Sequence, residues 1–319
     1  LCGIENETPP TGSRFKINRM ALNWNVFRTR ALTAVVFVVL MLAGLLWNQW
    51  SFLILFSIIH FGCWWEYFNL LEKINQSPVN PYLRQGFMMV GYGFLLFNLN
   101  NSFQISGYPL NYNLALPVSI AGFAMLLIGI FQPEKIVLKV MAQSALGWIY
   151  ISLSWTLMLD LYQTSIDIHI HDTMLVLQGN FIPVVLIASI WVNDTMAYIV
   201  GSFIGRTPLS PISPKKTWEG TIGGIVLSVV VVALLASLLF VGPFDWIVAV
   251  FGAVIALVAS ITGTLGDLLE SKIKRKAGVK DSGSLMPGHG GFLDRFDSLL
   301  LATTAVALTI FLLTKTIGS

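Results

Sequence analysis

The chain has 319 residues, 55% of them hydrophobic and 11% charged, with a net charge of +3. Its mean hydropathy of +0.74 excludes a water-soluble globular domain, because repeated apolar runs of about 20 residues mark helices that cross a bilayer. The runs are too continuous for the alternating pattern of an outer-membrane barrel. Backbone groups in lipid must also be satisfied within their own segment, so the expected class is an all-α, polytopic membrane protein.

Residues 1–13, with Pro, Gly, Thr and Glu, read as a disordered tail. No cleavable signal sequence is expected ahead of the first span. Nine spans follow, near 31–47, 51–71, 86–98, 113–131, 140–159, 181–204, 221–242, 246–268 and 298–315. The chain divides accordingly into a cytoplasmic tail (1–30), N-terminal membrane helices with an outer loop (31–180), and a C-terminal membrane region (181–319). That last region has polar loops at 205–220 and 269–297. Two cysteines, Cys2 and Cys63, provide no disulfide framework, and Cys63 reads as a small buried hydrophobe.

The nine-span arrangement sorts the basic residues. Eighteen of the 19 Lys and Arg fall on the side of the N-terminus, and only Lys315 falls on the other. The excess of Lys and Arg makes the first side cytoplasmic. The opposite side carries Asp160, Asp167, Asp172 and Asp245. Its run Asp167-Ile-His169-Ile-His171-Asp172 has metal-like residue types, but its alternation fits a short exposed strand equally well.

Polar residues inside the spans are few, so each needs a reason. Glu66, near the cytoplasmic end of the second span, is expected to line the same cavity as the residues below. Asp194 lies within the sixth span and requires a polar cavity or a partner. The loop after it carries Arg206 and the run Ser213-Pro-Lys215-Lys216-Thr217-Trp-Glu219-Gly220. Paired lysines after a span are ordinary topology signals, yet Ser213, Thr217 and Glu219 beside them suit contacts to phosphate. The run lacks the glycine spacing of a P-loop.

The densest polar stretch is Ser271–Asp297, with six Lys or Arg, three Asp, one His and five Gly. If the eighth span continues as a helix, Asp267, Glu270, Ser271 and Lys274 share one face. A structural pair, Asp267–Lys274 or Glu270–Lys274, is the alternative reading of these charges. Asp294 and Asp297 fall just before or within the first turn of the ninth span, where carboxylates also suit the helix dipole. Oxygen ligands from two helix ends suit Mg²⁺, which also binds substrate phosphates. Gly288, Gly290 and Gly291 let a backbone approach a ligand closely. His289 can donate to phosphate or move a proton, and Arg295 can grip phosphate with two donors.

The spacing S-x-I-K-R-x4-K-D-x-G-x2-M-P-x-H-G-G-F-x-D-R-F-D resembles the signature of the phosphatidate cytidylyltransferases (CDP-diacylglycerol synthases). Met286 stands where that family more often has Leu, Ile or Phe, a volume-conserving change. Together with the block Asn193–Gly224, the resemblance covers about the last 130 residues. It implies Mg²⁺ held by Asp267 and Asp294, with Asp297 nearby and a second cation, K⁺ being one candidate. It implies catalytic roles for Lys280, Asp281, His289, Arg295 and Asp297. Substrate contacts are implied for Asp194, Ser213, Lys215, Lys216, Thr217, Glu219, Ser271, Lys274, Arg275, Gly290 and Gly291. The substrates would be CTP and phosphatidate, the setting a lipid bilayer at the cell (inner) membrane, and the assembly a homodimer with no nucleic-acid partner. Three alternatives stay open: the same chemistry on another lipid phosphate, a CTP-dependent polyprenol kinase, and an ion-coupled transporter using Glu66, Asp194 and Asp267.

Overall fold

The computed structural model describes residues 24–132, 138–170, 173–177, 179–242, 244–284 and 290–317. Helix α1 (Trp24–Leu46) begins inside the segment read as a tail, and residues 1–23 lie outside the described ones. There follow α2 (Gln49–Asn75), α3 (Pro81–Phe97) and α4 (Leu110–Ile130). Next come α5 (Leu138–Gly147) and α6 (Leu153–Gln163), joined by one π-helical stretch, Trp148–Ser152. The C-terminal helices are α7 (Phe181–Ile204), α8 (Trp218–Phe240), α9 (Trp246–Lys276) and α10 (Leu293–Ile317).

Each of the nine predicted spans coincides with a helical segment. Seven segments are long and apolar enough to cross a membrane, while the apolar part of α1 (Leu32–Leu46) and the 17-residue α3 are shorter. Three antiparallel hairpins complete the described structure: β1 (Gln104–Ile105) with β2 (Tyr108–Pro109), β3 (Ile166–Ile170) with β4 (Thr173–Leu177), and β5 (Pro208–Ser210) with β6 (Ser213–Thr217). The strand alternative for the acidic-histidine run is thus the one observed over Ile166–Ile170. His171 and Asp172 lie outside the described residues.

Helix ends follow local chemistry. Asn48 accepts from Trp50 N and Ser51 N while Ser51 Oγ accepts from Asn48 N, a reciprocal cap that starts α2. Pro81 opens α3 behind the cap residue Asn80, where its missing N–H costs nothing. Asp245 caps α9 through Ile247 N and Val248 N. That helix then runs 31 residues, well past the apolar span, and ends on Lys274, Arg275 and Lys276, whose charge suits its C-terminal dipole.

Buried aromatic side chains, among them Phe56 and Trp155 at 5.3 Å, join α2 to α6. Phe37 joins α1 to Trp191 of α7 at 6.4 Å and to Phe296 of α10 at 5.9 Å. Helices α7, α8, α9 and α10 pack against one another, and α10 also touches α2 and α6. The tightest approach that bears on the site lies at Gly266 of α9. A Cβ there would meet Asp297 O of α10 at 2.6 Å, so the residue lets two backbones meet where Asp267 and Asp297 sit.

Replacing Gly266 with Ala is expected to force α9 and α10 apart at a cost of about 1–3 kcal/mol, read as a lower melting temperature in detergent. Ile261→Val, on an exposed face of the same helix, is expected to stay within about 0.5 kcal/mol.

Candidate active site

The β5–β6 hairpin ends on Thr217, whose hydroxyl caps α8 by accepting from Gly220 N at 3.2 Å. Gly220 and Gly224 bring α8 against α7, since a Cβ at either would meet Ala197 O at 2.7 Å or Asn193 O at 2.8 Å. This contact sets Lys216 beside the C-terminal part of α9, where its ammonium pairs with Asp267. Burial alone would lower the pKa of Lys216, but the Asp267 carboxylate, reinforced by Asp194, holds it above the ordinary lysine value.

The α9 face predicted to carry Asp267, Glu270, Ser271 and Lys274 is helical throughout. Ser271 Oγ donates to Asp267 Oδ1 at 3.3 Å. Glu270 is fully buried and its Oε2 faces the Lys274 ammonium, so the structural pair considered from sequence is present. Its Oε1 has no hydrogen-bond partner among the described residues. Carboxylate oxygens of Asp267, Glu270 and Asp297 lie within 4.8 Å of one another. An all-carboxylate donor set of this kind suits a hard divalent cation such as Mg²⁺, and an unpartnered buried oxygen leaves a ligand position available. The residues present therefore fit such an ion.

Asp294, which the resemblance implies as a metal ligand with Asp267, is not part of that carboxylate group and has a different environment. Its Oδ1 accepts from Lys274 Nζ at 2.6 Å, and its Oδ2 accepts from Ser282 N at 2.8 Å, Ser282 Oγ at 2.9 Å and Gly291 N at 2.9 Å. Lys274 thus bridges Glu270 and Asp294 across the two helices. Gly290 adopts φ +80, and a Cβ there would meet Asp294 Oδ2 at 2.6 Å, so both its backbone and its neighbour require glycine.

A cavity of about 430 Å³ gathers Asp194, Lys215, Lys216, Thr217, Asp267, Asp294 and Asp297, all singled out in the sequence. Asn193, buried with its Oδ1 unpartnered, also lines it. A smaller cleft of about 130 Å³ shares Asp194, Asp294, Asp297 and Ser298 with the cavity, and its other walls include Phe37, Met41, Ile187, Ile190, Trp191 and Arg295.

Other candidates stand elsewhere. The Glu219 carboxylate accepts from Arg206 N, Thr207 N and Thr207 Oγ1, which closes the turn before β5. Arg275 donates to Val279 O at 3.3 Å, beyond the end of α9. Lys280 is exposed, and Ser213 lies in β6 away from the cavity wall. Asp281 and Glu66 line a separate open cleft, so the expectation that Glu66 lines the same cavity is corrected. Gly288 and His289 lie outside the described residues. The sequence sets Glu270 on one helix face with Asp267, with a pair to Lys274 as the alternative, and assigns it no ligand role; its helical spacing from Asp267 is the signal available.

The chain matches the profile of the cytidylyltransferase family over residues 28–313. It is 45% identical over 135 residues to a phosphatidate cytidylyltransferase of Synechocystis, a stretch covering 42% of this chain and 45% of that relative. It is 51% identical over 109 residues to the chloroplastic phosphatidate cytidylyltransferase 4 of Arabidopsis thaliana, covering 34% and 27%. A phosphatidate cytidylyltransferase of Staphylococcus haemolyticus is 46% identical over 112 residues, covering 35% and 42%. The chain thus spans less than half the length of these curated relatives.

Lys274→Met strands two carboxylates and is expected to cost on the order of 3–5 kcal/mol, seen as a large drop in melting temperature in detergent. Lys274→Arg, which keeps the charge, is expected to recover most of that loss.

Proposed function

The chain belongs to the cytidylyltransferase family, and on that premise we propose that it converts CTP and phosphatidate to CDP-diacylglycerol and pyrophosphate. One observation carries the reading: four carboxylates and two lysines share a cavity that adjoins a cleft lined in part by Phe37, Ile187 and Trp191. A polar chamber of that kind suits a nucleoside triphosphate, and the mixed wall of the adjoining cleft, aromatic and aliphatic on one side and charged on the other, suits the glycerol end of a lipid phosphate.

In this reading a phosphate oxygen of phosphatidate attacks the α-phosphorus of CTP. A new P–O bond forms as the bond to the bridging oxygen of the β-phosphate breaks, and pyrophosphate carries that oxygen away. A phosphate monoester is already anionic near neutral pH, so no strong general base is needed. Lys215 and Lys216 bind the triphosphate oxygens and oppose their charge. Thr217 fixes the start of α8 and with it the position of both lysines. Lys274 holds Glu270 and Asp294 in register. Asp267, Glu270 and Asp297 would hold Mg²⁺, which when bound supplies positive charge to the phosphates as the bond breaks. The active site faces the cytoplasm of a cell (inner) membrane. The distribution of Lys and Arg supports that side, which is also where CTP is found.

The test is product analysis with purified protein, CTP and phosphatidate, with and without Mg²⁺. Mg²⁺-dependent CDP-diacylglycerol plus pyrophosphate is expected, reduced on the order of 10²-fold or more in Asp297→Asn. CDP and a polyprenol phosphate, formed when a polyprenol replaces phosphatidate, would overturn it in favour of a kinase. No lipid product from folded protein, with ion uptake in vesicles, would overturn it in favour of a transporter.

A further inference from the structure

Helix α10 starts without a cap of its own. The residue before it is Phe292, which has no side-chain acceptor, so the first N–H groups of the helix need partners from elsewhere. They find them on α2. The Glu66 carboxylate, 5% exposed, accepts from Phe292 N at 2.9 Å through Oε1 and from Leu293 N at 2.9 Å through Oε2. The next amide, Asp294 N, donates to Ser282 Oγ at 3.2 Å. Ser282 Oγ in turn lies 2.7 Å from Glu66 Oε2 and 2.9 Å from Asp294 Oδ2. Two successive amides and the loop serine therefore converge on one carboxylate borrowed from the N-terminal half of the chain, and the third amide meets that serine.

The fit leaves no slack. A Cβ at Gly283 or at Gly291 would collide with the Glu66 carboxylate. Both glycines of the loop are needed because Glu66 fills the space beside them. A carboxylate is also the acceptor best suited to a helix N-terminus, where its charge meets the positive end of the dipole.

We infer that Glu66 is a positioning residue for the transfer reaction: it caps α10 from α2 and, through Ser282, sets the orientation of Asp294 and the first turn that carries Asp297. A hydroxyl has one hydrogen, so Ser282 can donate to only one of its two carboxylate neighbours at a time. Asp294 keeps its place through Ser282 N and Gly291 N when that hydrogen goes to Glu66. Removing the Glu66 acceptor frees the hydrogen, the loop and the helix end together. The N-terminal helices thereby contribute to the geometry of the site and not only to its anchoring. The inference rests on the proposed reaction for its kinetic readout alone.

The experiment compares the full chain with Glu66→Gln and Ser282→Ala, by steady-state kinetics with CTP and phosphatidate and by hydrogen exchange in detergent. Glu66→Gln keeps the volume but turns one acceptor into a donor facing donors. Turnover is expected to fall roughly 10–100-fold with little change in KM for CTP, because binding groups on β6 are untouched. Exchange is expected to rise in peptides covering 280–293 and to stay unchanged in α9. Ser282→Ala, which spares the contacts to Phe292 and Leu293, is expected to show a smaller loss of turnover. Should Glu66→Gln fail to fold, Ser282→Ala with the same two readouts decides. Wild-type turnover per folded molecule with wild-type exchange at 280–293 would overturn the inference. A wild-type protein that makes no CDP-lipid would instead overturn the proposed reaction, and exchange would still decide the role of Glu66.

Discussion

The polar site depends on how closely α9 can approach α10. Gly266 permits contact with the backbone at Asp297 that no side chain would allow, and this brings Asp267 and Glu270 to one side of the junction and Asp297 to the other. Like charges at such a junction repel strongly where water is scarce. The fold answers with cations of its own: Lys216 from the β6 strand on Asp267, and Lys274 between Glu270 and Asp294. The arrangement is thus one of opposing constraints, with the glycine drawing the carboxylates together and the lysines making their proximity tolerable.

That balance has a chemical consequence. In the cavity wall and the ion pairs behind it, Asp194, Asp267, Glu270, Asp294 and Asp297 outnumber Lys215, Lys216 and Lys274, and Glu270 Oε1 lacks a hydrogen-bond partner among the described residues. A site with surplus carboxylate oxygens and lysines beside them is complementary to a divalent cation carried with a polyphosphate. Asp194, Asp294 and Asp297 also line the adjoining cleft, where Phe37 and Trp191 face them. Such a surface can meet a nucleotide from water and a lipid phosphate from the bilayer.

Much of this was legible in the sequence because it is local. Apolar runs located every helical segment, and spacing along one helix face foretold that Asp267, Glu270, Ser271 and Lys274 would align. Helix starts were less legible. Hydropathy began the last span at 298, but α10 starts at Leu293 because Asp294, Arg295 and Asp297 form its polar first turn. Likewise α8 begins at Trp218 because Thr217 caps it. The π-helical stretch Trp148–Ser152 left no signal; its Ser152 meets His60 and Trp64 of α2, residues 92 and 88 positions away. Glu66 was visible as an ionisable residue in an apolar span, but its partners are 216 to 227 residues away. No local pattern encodes a contact of that range.

The most direct measurement of the central claim follows the label from CTP. Purified protein would receive phosphatidate with CTP carrying radioactive phosphorus at either the α or the γ position. Cytidylyl transfer predicts α-label in the lipid and γ-label in released pyrophosphate. Label from the γ position appearing in lipid, with none from the α position, would contradict it.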